Sequence, residues 1–292
     1  MKELLKKLRR YEIQVRKAVT SQMQGDFRSL FKGTGLEFDD VRPYQYGDDI
    51  RTIDWKVSAK GHGTFVKTFK EEKEQTIFFI VDVSASQEIG SQGKNKLDIT
   101  KEVCGVLALS GAKETSQLGL ICFSDVREKA IKPKKGMAQA YEIIHHLVHL
   151  KPQSLKTNLN KALAFALNFI KRRSVIIMIS DFIDENYFDG LKSLARKHDL
   201  VIIRITDRRE TSLPKLGIIP VLDKESKKTL WVNSSFGGFR EKIATNNTLR
   251  QQELADFSRR HQINFISIDT AEDYVPKLLK LFKVRNKTFK AA

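Results

Sequence analysis

The sequence predicts an α/β fold, a mostly parallel sheet with helices on both faces and a small β-rich accessory layer. Three observations carry this. Short, near-continuous apolar runs such as "TIFFIV" (76–81), "SVIIMIS" (174–180) and "LVIIRIT" (200–206) read as strands covered on both sides. From Thr76 onward such runs alternate with stretches of helical period, which is the pattern of a parallel sheet. Residues 25–75 break the pattern: they lack a helical period and are rich in Gly and acids, so short strands and ordered loops are expected there.

In chain order, residues 2–20 read as a helix, with Leu4, Leu8, Tyr11, Val15 and Val19 on one stripe and basic residues opposite. It is expected to pack on the domain, or to lie on anionic lipid. After strand 76–81, a helix is predicted over 96–114, apolar at Leu97, Val103, Leu107 and Leu109. A strand follows at 117–124, with a hairpin partner near Arg127 to Ile131. Helices at 137–150 (Pro152 lies just beyond) and 158–171 precede strand 174–180. Then come helix 187–198, strand 200–206, helix 250–262, strand 264–269 and a final helix, 274–283. Residues 216–233 look like a β-hairpin with a polar turn at Asp223–Lys228, inserted at the rim and expected to join the 25–75 region as one β-rich layer. The division is therefore 1–24 as an amphipathic helix, 25–75 as a β-rich segment, and 76–292 as the α/β domain carrying the hairpin.

Composition narrows the function. With 292 residues, 41% hydrophobic and 30% charged, the chain suits a soluble globular protein. No apolar run approaches the roughly 18 residues that span a bilayer, and "MKELLKKLRR" lacks the uninterrupted apolar core of a secretory signal. Cys104 and Cys122, both among apolar neighbours, form no disulfide framework, which points to a reducing cytoplasm. The net charge of +17 sits mostly at the ends, +5 over residues 1–23 and +6 over 274–292. A nucleic-acid reader would instead gather basic residues with stacking aromatics, so nucleic acid is not the expected ligand.

Ligands of open parallel sheets bind beyond the carboxyl ends of strands, near the reversal of strand order. After strand 76–81 come Asp82, Ser84 and Ser86; after 174–180 come Asp181, then Asp184 and Glu185; after 200–206 comes Asp207. Thr157 precedes a helix in "SLKTNLN". If strands 76–81 and 174–180 are neighbours, Asp82 and Asp181 repel each other unless a cation lies between them. Added hydroxyls give hard oxygen donors of low total charge, suited to Mg²⁺ or Mn²⁺. Lys156, beside Thr157, is the charge expected to weaken such binding. The simpler reading of the same residues is helix capping and turn chemistry. His145 and His149 in "HHLVH" share a helical face but lack a third ligand, and "GSQGKNK" (90–96) fails the phosphate-loop spacing. Within 33–60, Asp48, Arg51 and Asp54 are expected to form structural ion pairs and Trp55 to pack in a core.

"DVSAS", "KTNL" and "SDF" together resemble the metal-ion-dependent adhesion site (MIDAS) of von Willebrand factor A-type domains. The resemblance implies that Ser84, Ser86 and Thr157 approach the metal directly, and that Asp82 and Asp181 do so directly or through water. The stretch "GTGLEFDDVRPYQYGDDIRTIDWKVSAK" (33–60), through Gly35, Glu37, Phe38, Arg42, Tyr44, Gly47, Asp48, Arg51, Asp54, Trp55 and Ala59, resembles the signature of the bacterial domain-of-unknown-function 58 family. That resemblance covers essentially the whole chain. It implies a von Willebrand factor A-like core and a MoxR-type AAA+ ATPase as partner, in chaperone-like maturation of other proteins.

The expected function is a non-catalytic, metal-dependent adaptor that takes an acidic residue from a client. An alternative is a Mg²⁺-dependent phosphatase or phosphotransferase. Such enzymes often use Asp-x-Asp after the first strand, and Ser84 stands where the second acid belongs. No G-x-S-x-G nucleophile elbow is present either. Another alternative is a membrane-surface scaffold anchored by helix 2–20.

Overall fold

The structure, a computed structural model, describes residues 6, 37–61, 63–70, 75–91, 94–210, 216–222 and 229–281. The helix expected over 2–20 and the turn Asp223–Lys228 lie outside the described residues, as does the end of the helix expected over 274–283.

The first described elements are β1 (Glu37–Pro43) and β2 (Phe65–Lys70), an antiparallel ribbon. Between them lies the single-turn helix α1 (Trp55–Ser58), whose first N–H groups are capped by the Asp54 carboxylate. The core begins at β3 (Thr76–Asp82), and a two-residue-per-strand hairpin, β4 (Gly90–Ser91) and β5 (Lys94–Asn95), leads into helix α2 (Lys96–Lys113). β6 (Gln117–Phe123), β7 (Arg127–Lys134), α3 (Met137–His149) and α4 (Leu159–Phe169) follow. Then come β8 (Val175–Ser180), α5 (Phe188–Lys197) and β9 (Asp199–Thr206). A hairpin of β10 (Ile218–Leu222) and β11 (Thr229–Asn233) precedes α6 (Gly237–Arg260) and β12 (Asn264–Asp269), and residues 275–281 are helical.

The central sheet has six strands in the order β12-β9-β8-β3-β6-β7, parallel throughout except for antiparallel β7 at one edge. Each buried strand feeds two cores, because successive side chains point to opposite faces. Ile77, Phe79 and Val81 of β3 join one core with α2, α3 and residues 274–281. Phe78 and Ile80 join the other with α4, α5 and the C-terminal half of α6. Helix α2 is buried almost all round, which explains its weak amphipathic pattern, and the Asn95–Asp98 capping box fixes its start. Both cysteines are free and buried in the first core.

Three expectations change. The helix expected at 250–262 begins at Gly237, directly after the hairpin. Its first half is largely exposed and polar and so carries no apolar stripe to announce it. The β10–β11 hairpin and the β1–β2 ribbon are separate two-stranded sheets, with no strand pairing between them among the described residues, so they do not form the single layer expected. Trp55, expected in a core, is 67% exposed, because it begins a one-turn helix that buries no side chain.

The sheet contains one tight approach that demands glycine. Gly119 of β6 lies opposite Phe78 of β3, and a Cβ there would sit 2.4 Å from the Phe78 ring. That ring is in turn held edge-on by Phe169, at 6.0 Å between centroids. Gly119→Ala is expected to lower stability by about 1–3 kcal/mol, the usual range for overpacking. Chemical denaturation checks this, and an unchanged midpoint would mean that the ring moves freely.

Candidate functional site

The strand order reverses at β3. The chain builds outward through β6 and β7, then returns to place β8 on the other side of β3. The register Val81↔Ile179 sets the carboxyl ends of β3 and β8 side by side. Asp82 and Asp181 therefore leave neighbouring strands at the same rim, where parallel sheets of this kind take their ligands.

Asp82 ends β3 fully buried and is hydrogen-bonded from both sides. Its Oδ1 accepts from the Ser84 backbone N–H at 3.0 Å and the Ser84 hydroxyl at 2.6 Å. Its Oδ2 accepts from the Ser180 hydroxyl at 2.7 Å and from Gln87 Nε2 at 3.4 Å. The Ser84 and Ser86 hydroxyls are 3.0 Å apart. Burial, and then the Asp181 charge, push the Asp82 carboxyl up to about 7, against the pull of its hydrogen bonds.

Thr157 arrives on the loop between α3 and α4, which is pinned on several sides. The Leu155 carbonyl accepts from the Ala85 N–H at 3.0 Å, between the two serines, and the Asn158 N–H donates to the Ser124 carbonyl at 3.3 Å. The Glu128 carboxylate accepts from the Gln153 and Ser154 N–H groups at 2.9 and 3.1 Å. Asp184 accepts from the Leu159 N–H at 2.6 Å and so ties the start of α4 to the loop after β8. The structure thus gathers Asp82, Ser84 and Ser86 into one hydrogen-bonded group, sets Asp181 beside it, and fastens the Thr157 loop to its edge. Asp207 stands apart from that group: its carboxylate accepts from the Arg209 N–H at 2.9 Å and from the Thr270 hydroxyl.

The sequence did not single out the residues that balance the charge here. Lys96, the first residue of α2, is fully buried and donates from Nζ to Asp181 Oδ2 at 2.6 Å and also to Glu210. Burial works against its charge, but Asp181 and Glu210 outweigh that and raise its pKa above the usual lysine value. Burial raises the Glu210 carboxyl, with Lys96 pulling the other way. Arg204 of β9, also buried, donates from Nε to the Asp181 carbonyl at 3.2 Å and from Nη2 to Asn247 of α6 at 2.6 Å. Lys156, the cation expected beside the site, is exposed; the lysine on the carboxylate is Lys96. One signal for Lys96 was present in the sequence: a cation at the first position of a helix opposes the helix dipole and needs a reason.

Away from this rim, the His145 and His149 rings lie tilted against each other with centroids 4.3 Å apart, and His149 Nδ1 lies 2.9 Å from the His145 carbonyl oxygen. In the 33–60 segment, Arg42 and Asp48 form a two-pronged pair at 2.7 and 2.6 Å, and Asp54 lies 3.6 Å from Lys67. The pairings of Asp48 and Asp54 match expectation, with Arg42 and Lys67 as their partners; Arg51, also expected in an ion pair, is exposed and forms none among the described residues.

A family model described as "Protein of unknown function DUF58" matches residues 40–253. The chain belongs to the DUF58 family. This DUF58 protein is 25% identical over 222 residues to an uncharacterized protein of Mycobacterium tuberculosis (strain ATCC 25618 / H37Rv), covering 75% of this chain and 70% of that one. An uncharacterized protein of Mycobacterium bovis matches with the same identity and coverage. The core of this DUF58 protein is α/β, with a mostly parallel sheet between two helical layers. Similar solved structures include an aerotolerance-related membrane protein from Bacteroides fragilis NCTC 9343, at TM-score 0.48 and 13% identity over 73% of this chain and 99% of that one. The SpRpn10 VWA domain aligns at TM-score 0.40 and 12% identity over 70% of this chain and 94% of that one. Among the described residues of this DUF58 protein, no helix is long and apolar enough to cross a membrane.

The raised Asp82 carboxyl fixes the sign of a pH effect. Its protonated form suits the buried site, so its contribution to stability is full below the ordinary carboxylate range and is lost as pH rises through about 7. In EDTA, Asp82→Asn is expected to gain several degrees of melting temperature relative to the native protein as pH is raised from about 5 to about 8. A constant offset across that range would show that Asp82 titrates normally.

Proposed function

We propose that this DUF58 protein is a non-catalytic, metal-dependent binding module in which Asp82, Ser84, Ser86, Thr157 and Asp181 hold Mg²⁺ or Mn²⁺ and the ion takes a carboxylate from a partner protein. The observation that supports it best is the pair of serine hydroxyls 3.0 Å apart beside a buried carboxylate, at the end of the strand where the sheet reverses. The donor set fits a hard divalent ion: hydroxyl and carboxylate oxygens, no thiol or imidazole, and low total charge. Gln87 Oε1, buried next to Asp82 and without a hydrogen-bond partner among the described residues, is a further polar atom at the rim. When bound, the ion would supply a positive, electron-poor centre for an external carboxylate. The chain's own residues hold the hydroxyls in place through Asp82, seat the Thr157 loop through Glu128 and the Leu155 carbonyl, and screen Asp82 from water.

The partner reading rests on the family resemblance: a MoxR-type AAA+ ATPase, with clients that present an acidic residue during chaperone-like maturation, in the cytoplasm. The non-catalytic reading rests on Ser84, which stands where phosphate-transferring sites of the Asp-x-Asp kind need an acid.

Calorimetric titration with Mn²⁺ is expected to show one site in the native protein, weakened at least about tenfold in Ser84→Ala, the loss of about 1.4 kcal/mol. Capture of the MoxR-type ATPase from the same genome is expected in Mg²⁺ and not in EDTA, and to fail with Ser84→Ala. Capture indifferent to both EDTA and Ser84→Ala would overturn the metal-dependent reading. Sustained phosphoester turnover lost in Asp82→Asn would replace it with the enzymatic one.

A further inference from the structure

We infer that Lys96 is a tethered internal cation that competes with the divalent ion for Asp181 and so sets how tightly the rim binds metal, with Glu210 as the second anchor that keeps the ammonium close. This rests on the metal-binding reading above. The lysine is built into place: Asn95 caps the helix it begins, and its own N–H donates to the Ile89 carbonyl at 2.9 Å. Gly90 of β4, paired with Asn95 just before the lysine, admits no side chain, since a Cβ would lie 2.0 Å from the Lys94 carbonyl oxygen.

A fully buried ammonium is tolerated only when carboxylates surround it. Lys96 has two, Asp181 at 2.6 Å and Glu210, with side-chain exposures of 0, 1 and 8% for Lys96, Asp181 and Glu210. The other Asp181 oxygen accepts from the Ile183 N–H at 3.2 Å, so the oxygen that Lys96 holds is the strong electrostatic contact of that carboxylate. A divalent ion that used Asp181 would meet this positive charge directly, and like charges at such range disfavour each other. Binding then requires the ammonium to lean toward Glu210. Without Lys96, the carboxylates of Asp82, Asp181 and Glu210 would share one buried rim with no ammonium on them, and Arg204, held to the Asp181 carbonyl, would be the cation that remains nearby.

The test is Mn²⁺ titration, followed by calorimetry and by melting temperature with and without EDTA, on native protein, Lys96→Met and Glu210→Gln. Lys96→Met is expected to bind Mn²⁺ at least about tenfold more tightly than native protein, to melt lower in EDTA, and to recover on adding Mn²⁺. Glu210→Gln leaves the ammonium wholly on Asp181 and is expected to weaken Mn²⁺ binding. If native protein binds Mn²⁺ and Lys96→Met binds no more tightly, the competition is refuted and the metal reading stands. If native protein ignores millimolar Mn²⁺ but Lys96→Met responds, Lys96 has replaced the metal outright and the metal reading fails. If neither responds, both fail. Should Lys96→Met not fold with or without Mn²⁺, Glu210→Gln decides, and unchanged or tighter binding there overturns the competition.

Discussion

The parallel pairing of β3 with β8 is the constraint on which the rest of the structure depends. It follows from apolar runs that can be buried only between two helical layers, and it brings together two acidic residues that lie far apart in sequence. Burial of the strands is favourable; bringing Asp82 and Asp181 to the same dry rim is not. The surrounding chemistry answers that conflict. Ser84 and Ser180 donate to Asp82 from opposite sides, and Lys96 reaches Asp181 from the start of the next helix. The same pairing that stabilises the core therefore creates a polar spot that needs a counter-charge.

The rim is also mechanically continuous with the outer layers. Arg204 enters it from the interior of β9 and ends on Asn247 and Gln251 of α6, so the long helix after the hairpin is fastened to the backbone of Asp181. Glu128 plays a similar part on the other flank, joining β7 to the loop that carries Thr157. A buried charge such as Arg204 adds little net stability, but removing one of its partners leaves it stranded, which fixes the surrounding segments in one arrangement. A surface meant to recognise a partner benefits from that rigidity, because less ordering is left to do on binding.

Much of this was legible in the sequence, for a physical reason. Strands covered on both faces must be continuously apolar, so β3, β8 and β9 announce themselves, and the polar residues just after them mark the rim. Asp82, Ser84 and Ser86 could be read directly. Lys96 could not, because its partners lie 85 and 114 residues away, and only its odd place at a helix start hinted at a role. The first half of α6 was hidden because an exposed helix leaves no apolar stripe. Trp55 misled because aromatic residues are usually buried, and nothing local says that a one-turn helix has no core to offer. Both ribbons were visible as strands, but their separateness depends on packing that alternation cannot encode.

The two thiols have a separate consequence. Cys104 and Cys122 are sealed in the same core, and burial pushes both well above the ordinary thiol range. They are the only cysteines in the chain, and as neutral, covered thiols they react with neither oxidants nor alkylating reagents while the core is closed. Their reduced state thus reflects their location within the fold as much as the redox poise of any compartment. The chain carries a built-in clock: with reagent in enough excess to outrun reclosing, the rate at which its thiols are labelled is the rate at which the core opens.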